Sequence, residues 1–275
     1  MQPIPPPSPP CLLSPPARLP LPSASLPQAP LQAVVWGVCP AGAKDIKVSF
    51  GGKDIAATVG TTLGQTTWMV KLPATPASFD PVNITATSGK VTVTLANVLF
   101  GDVWVCSGQS NMQMPLGSPT CWNASNEDCK CKSCKDAQCG YGCVKNAGVE
   151  IADMANYPHM RLLMDGGGGA KTPQLESRNS GWRTPNVTGG SFSATCWFFG
   201  RDLYKSLTPP RPLGLIETNV GGTPDQHWSS PEALNKCKNL PGSPKWEWAA
   251  NFSDSVLWNA KVVPYLKTTI LGAVW

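Results

Sequence analysis

The sequence predicts an α/β protein: a small β-sandwich followed by an incomplete, parallel α/β domain that carries a cysteine-rich insertion. Three observations lead there. Short runs of β-forming residues, each closed by turn residues, fill positions 31–99. From residue 100 onward, short and largely apolar runs alternate with helical stretches, the pattern of strands covered on both faces by helices. At about 119–146 lies a stretch rich in Lys, Asn, Gly and Cys that fits neither pattern.

Residues 1–30 are proline-rich and expected to be a disordered segment, because proline fixes φ and lacks the N–H that regular structure uses. In the β-sandwich domain, 31–99, strands are expected at 33–38, 46–50, 66–72, 82–86 and 91–95. Gly51-Gly52, Pro73, Asp80-Pro81 and Ser88-Gly89 punctuate them. Val91-Thr92-Val93-Thr94-Leu95 alternates with the period of two that marks a half-buried strand. In the second domain, 100–275, buried strands are expected at 103–106, 161–164, 213–218 and 270–275. A helix is expected over 191–207, where Phe192, Cys196, Phe199 and Leu203 share one face, and another over 254–266, where Val256, Leu257, Ala260 and Val263 are available for burial.

The insertion contains Cys121, Cys129, Cys131, Cys134, Cys139 and Cys143 but too few apolar residues for a core, so cross-links must hold it. Disulfides are the favoured reading. Zinc is the alternative, since Cys131-x-x-Cys134 and Cys139-x-x-x-Cys143 would supply four thiolates. Eleven cysteines suit a secreted or lysosomal protein, and four glycosylation sequons, at Asn83, Asn123, Asn186 and Asn251, agree. The net charge of +5 is spread along a chain of which 14% is charged, which argues against a nucleic-acid partner. No apolar run reaches the ~18 residues that cross a bilayer, so no membrane partner is expected. No cofactor or metal is expected at the site.

Ser110, in Ser107-Gly108-Gln109-Ser110-Asn111-Met112, is the candidate nucleophile. It follows the apolar run 103–106, and ligands of parallel α/β sheets bind outside the carboxyl ends of strands. A helix opening at Asn111-Met112-Gln113-Met114 would aim backbone N–H groups at a developing oxyanion. Gly108 permits a sharp turn. Position alone also fits a plain turn or capping serine.

The segment is not the G-x-S-x-G elbow of ordinary α/β-hydrolases, because position 112 is Met. It resembles the serine block of the sialate O-acetylesterase family, an SGNH-like group of carbohydrate esterases. The resemblance runs from about residue 31 to 275. It includes Ala33-Val34-Val35-Trp36-Gly37, Leu99-Phe100-Gly101-Asp102-Val103-Trp104, Phe198-Phe199-Gly200-Arg201-Asp202-Leu203, Asn219-Val220-Gly221-Gly222-Thr223-Pro224 and Leu257-Trp258-Asn259-Ala260. It implies an SGNH-hydrolase-like α/β domain acting on O-acetylated carbohydrate through a serine acyl-enzyme. Ser110 matches the catalytic serine. Gly221 and Gly222 match a glycine block whose amide joins that of Ser110 in an oxyanion hole.

The family pattern continues with a Gln-Gly-Glu block and an Asp-x-x-His pair, neither of which occurs in residues 1–275. The chain is therefore expected to be the N-terminal part of such an enzyme and inactive alone. His159 lacks an acidic neighbour at triad-like spacing; His227, near Asp225, falls on a non-catalytic position of the pattern. The alternative is a non-catalytic glycan-binding or extracellular interaction module, with Lys130, Lys132, Lys135 and Lys145 around the insertion's cysteines.

Overall fold

A computed structural model describes residues 12–14, 24–27, 31–117, 144, 147–238 and 254–275. The strands are β1 (Leu12–Ser14), β2 (Ala24–Pro27), β3 (Val34–Val38), β4 (Lys47–Phe50), β5 (Lys53–Ala56), β6 (Thr58–Thr62), β7 (Gln65–Lys71), β8 (Ser78–Ser88), β9 (Val91–Gly108), β10 (Met160–Asp165), β11 (Asn179–Arg183), β12 (Leu213–Asn219) and β13 (Gly272–Val274). The helices are α1 (Ser110–Gln113), α2 (Ala147–Asp153), α3 (Pro185–Thr188), α4 (Ala194–Ser206), α5 (Asp225–Trp228) and α6 (Pro231–Lys238). None of the described helices is long and apolar enough to cross a membrane.

Strands β1-β3-β7-β6 form a four-stranded sheet, and β11-β10-β12-β9-β8-β4-β5 form the path of a nine-stranded one, with β13 and β2 also pairing to β9. Within the proline-rich first thirty residues, β1 pairs antiparallel with β3 and β2 pairs parallel with β9.

Strand β9 ties the two halves together. Its first half pairs antiparallel with β8, while its second half pairs parallel with β12 on one side and β13 on the other. The expected strands 91–95 and 103–106 are thus one strand, and the boundary expected between residues 99 and 100 lies inside it. The interruptions in the sequence are absorbed locally. Asn97 adopts φ +53° where the β8 register shifts, a left-handed conformation that Asn tolerates within a bulge. A side chain at Gly101 would collide with the Pro212 backbone, and Asp102 pairs with Arg211 at 2.8 Å.

The parallel part runs β10-β12-β9-β13, with β11 antiparallel at its outer edge. Alternation along β12 sends its residues to two cores. Leu213 and Leu215 pack with Cys106, Leu162, Phe192 and Trp197 beneath α4, whereas Ile216 joins Val103 and Leu163 in a core continuous with Val35, Trp68 and Ile84 of the sandwich. Helix α4 starts where Ser193 Oγ accepts from Cys196 N at 3.1 Å. Gly200 lets α4 lie directly on Leu215.

The segment expected as a helix over 254–266 is instead a π turn, Trp258–Val262, followed by a 3-10 turn, Val263–Tyr265. Pro264 has no N–H for an α-helical bond, which breaks the regular ladder there.

Candidate active site

Ser110 opens α1 just beyond the carboxyl end of β9 and is half-buried. The chain turns at Gly108, whose φ of +131° is open to glycine and strained for other residues. Ser110 Oγ donates to Gln109 Oε1 at 3.0 Å.

A one-turn helix has little stability of its own, because its nucleation cost is spread over very few hydrogen bonds. Two bonds close the turn, Gln113 N to Gln109 O at 2.9 Å and Met114 N to Ser110 O at 3.1 Å. Tertiary donors satisfy the carbonyls that the helix leaves open. Thr195 Oγ1 donates to Asn111 O at 2.9 Å, Asn219 Nδ2 to Met112 O at 3.0 Å and Ala194 N to Met114 O at 2.8 Å. The disulfide Cys106–Cys196 fastens β9 to the first turn of α4. The seat of Ser110 is therefore built by β12 and α4 rather than by its own helix.

The diglycine turn follows β12. Val220 N donates to Gly108 O at 3.0 Å, which draws this turn against the end of β9. Gly221 N donates to Gln113 Oε1 at 2.6 Å. Gly222, at φ +71°, carries the reversal.

Beside this point a cavity of ≈ 460 Å³ opens between the ends of β10 and β12, lined by Gln113, Pro115, Gly117, residues 164–168, Ser191, Glu217, Asn219 and Val220. Glu217 is buried; Oε2 accepts from Ser193 N at 3.0 Å and Oε1 from Asn219 Nδ2 at 2.7 Å. Burial pushes its carboxyl up to about 6, against the pull of those hydrogen bonds and of Lys261. Asp165, also buried, meets Lys261 Nζ at 2.9 Å and Tyr265 OH at 3.1 Å. Burial, with Asp165 alongside, holds the Tyr265 phenol well above its ordinary value.

Ser110 and Gly221 come together, with Gly222 next in the turn. His159 does not join them. It precedes β10, at the opposite end of the parallel strands, about 20 Å away by strand rise, and meets the Phe79 ring at a tilt with ring centroids 4.7 Å apart. His227 lies buried in α5, its backbone N–H bonded to Pro224 O at 3.1 Å. The Cys-rich insertion, Asn123, Asn251 and the four lysines Lys130, Lys132, Lys135 and Lys145 lie outside the described residues. Sequence reasoning missed Gln113, Glu217, Asn219 and the Cys106–Cys196 link. A signal for two of them was present: Glu217 and Asn219 are polar residues two apart at the end of a strand that begins Leu-Gly-Leu-Ile, and buried polar groups require partners.

The fold is that of a carbohydrate acetylesterase. A crystal structure described as a novel carbohydrate acetylesterase from Xanthomonas citri superposes with a TM-score of 0.65 at 23% identity, covering 91% of this chain and 48% of that one. Over 91% of its length the chain is similar to curated sialate O-acetylesterases. Sialate O-acetylesterase of Homo sapiens is 34% identical over 266 residues, covering 91% of this chain and 46% of that protein. The Mus musculus sialate O-acetylesterase is 30% identical over 292 residues, covering 91% and 49%. The chain thus spans about half the length of the curated relatives it matches. No protein-family model matches it.

Proposed function

We propose that this chain carries the nucleophile half of an esterase that removes O-acetyl groups from carbohydrate, with Ser110 as nucleophile. One observation carries the reading: Ser110 sits at the carboxyl end of a central parallel strand, against the Gly221 amide. That amide already holds a carbonyl-type oxygen, Gln113 Oε1, at 2.6 Å. In the reaction the acetyl oxygen takes the place of Gln113 Oε1, so Gly221 rather than Gly222 is the donor that joins Ser110 N–H.

The chemistry is acyl transfer. Ser110 Oγ gives its proton to a general base and bonds to the acetyl carbon. The oxyanion is held by the two amides, the sugar hydroxyl leaves with a proton, and water then releases acetate. The base is assigned to the Asp-x-x-His pair of the family pattern, since His159 is at the far end of the strands and His227 falls on a non-catalytic position of that pattern. The sugar ring occupies the cavity beside Gln113, whose polar lining matches hydroxyl groups. Sialic acid stands as the substrate named for the relatives. Passage through the secretory route is part of the same reading, supported by the Cys106–Cys196 disulfide and by the exposed sequon residues Asn83 and Asn186.

The test is Ser110→Ala in the full-length protein, assayed on O-acetylated sialic acid and on acetylated neutral sugars. Loss of turnover by about 10³-fold or more, with the thermal midpoint unchanged, is expected. Turnover that survives the substitution would end the serine reading.

A further inference from the structure

We infer that Asn219, with Glu217 behind it, is the positioning residue that holds the nucleophile's one-turn helix in register with the Gly221 amide. The inference rests on the reading of Ser110 as nucleophile.

Asn219 ends β12 two residues before Gly221, so whatever fixes its side chain also fixes the entry to the diglycine turn. Its Nδ2 has two protons and both are used, one on Met112 O at 3.0 Å and one on Glu217 Oε1 at 2.7 Å. While Glu217 is ionised both partners are acceptors, so the amide is not turned around: its oxygen would face two other oxygens. The orientation of Asn219 is therefore set by chemistry.

Glu217 completes the lock. Its second oxygen accepts from Ser193 N, the residue that caps α4, at 3.0 Å. Helix α4 in turn gives Thr195 Oγ1 to Asn111 O and Ala194 N to Met114 O. Strand β12, α1 and α4 thus share one closed network around the residues that follow Ser110. Asn219 and Glu217 are each only 7% exposed, so water does not replace a lost partner readily. Neither touches Ser110, and both act through Met112 and α4.

Two substitutions at 219 separate positioning from folding. Asn219→Asp keeps the shape but presents oxygens to Met112 O and Glu217; Asn219→Leu keeps the volume without any donor. Steady-state kinetics on the full-length protein are expected to show kcat lower by at least about 10-fold, because the reacting hydroxyl is misplaced; KM does not decide the matter, because Asn219 also lines the cavity assigned to the sugar. Amide hydrogen exchange at Gln113 and Met114 is expected to rise about 10-fold or more, with β9 and β12 still protected. Glu217→Gln leaves one oxygen facing one donor and is expected to give a smaller change of the same kind. Combined with Asn219→Leu, which has no group to bond it, it adds nothing further. Wild-type kcat together with unchanged exchange at 113 and 114 would overturn the inference. So would a kcat loss that only tracks uniformly raised exchange, the mark of general destabilisation. Ser110→Ala is the separate control: if it stays active the serine reading falls, while the exchange data still decide whether Asn219 holds α1.

Discussion

Gly221 packs against Ser110: a Cβ placed on Gly221 would lie 3.4 Å from Ser110 Cα and 2.5 Å from Gln113 Oε1. The diglycine turn and the Ser110 helix approach each other at backbone level, and the Gln113 side-chain oxygen fills the remaining space.

Gly221→Ala is expected to fold but to lose turnover. The backbone at 221 is not left-handed, and the obstructing atom is the far end of a flexible side chain, which swings aside. The methyl then shields the amide. Losing one oxyanion donor lowers kcat by about 10²–10³. Gly222→Ala is the opposite case, because φ +71° with open space around it predicts strain of about 1–2 kcal/mol and a lower thermal midpoint. Measuring kcat and melting for both variants checks the assignment. A fully active Gly221→Ala protein excludes Gly221 as donor.

Glu217 makes stability depend on pH. Its carboxyl ionises at about 6 in the folded chain rather than near 4.5, so the folded state binds the proton more tightly. That contribution is fully present below pH 4.5 and is lost as pH rises through about 6, by about 2 kcal/mol. Thermal melts from pH 4 to 7 are expected to show a decline in that window that Glu217→Gln flattens. An identical slope in the variant would contradict the assignment.

Cys106 and Cys196 are 90 residues apart and both fully buried. Closing so long a loop restricts the unfolded chain, and the chain-entropy model gives about 4–5 kcal/mol for it, near the upper end of measured values. Replacing both by Ala is expected to lower the denaturation midpoint strongly. A change below about 1 kcal/mol would mean that packing of α4, not the cross-link, fixes it to β9.

Lys261→Met is expected to destabilise by about 3–5 kcal/mol, since it leaves the Asp165 charge buried beside Tyr265 without its cation. Adding Asp165→Asn is expected to recover part of that loss, because the unpaired charge goes with it. Chemical denaturation of the two variants reads the difference.

Much of this architecture was legible in the chain. The alternation of 91–95, the apolar runs at 161–164 and 213–218 and the helical face of Phe192, Cys196, Phe199 and Leu203 each correspond to elements found, with ends moved by a few residues. The short strands β5, β6 and β11 escaped, because their residues are largely exposed or mixed and leave no periodic signal. The continuity of β9 escaped because Asn97, Gly101 and Asp102 look like breakers. They are tolerated where β8, Pro212 and Arg211, all remote or non-adjacent in sequence, supply the fit.

By itself the sequence determined the α/β class, the placing of Ser110 after an apolar strand and the glycines that follow another. Such features arise from local periodicity and from residues with unusual backbone freedom. The tertiary structure alone decided that a helix of one turn persists at Ser110. Its open carbonyls are met by Thr195, Ala194 and Asn219, and hydrogen bonds between residues 80 to more than 100 positions apart leave no periodicity for a sequence to display.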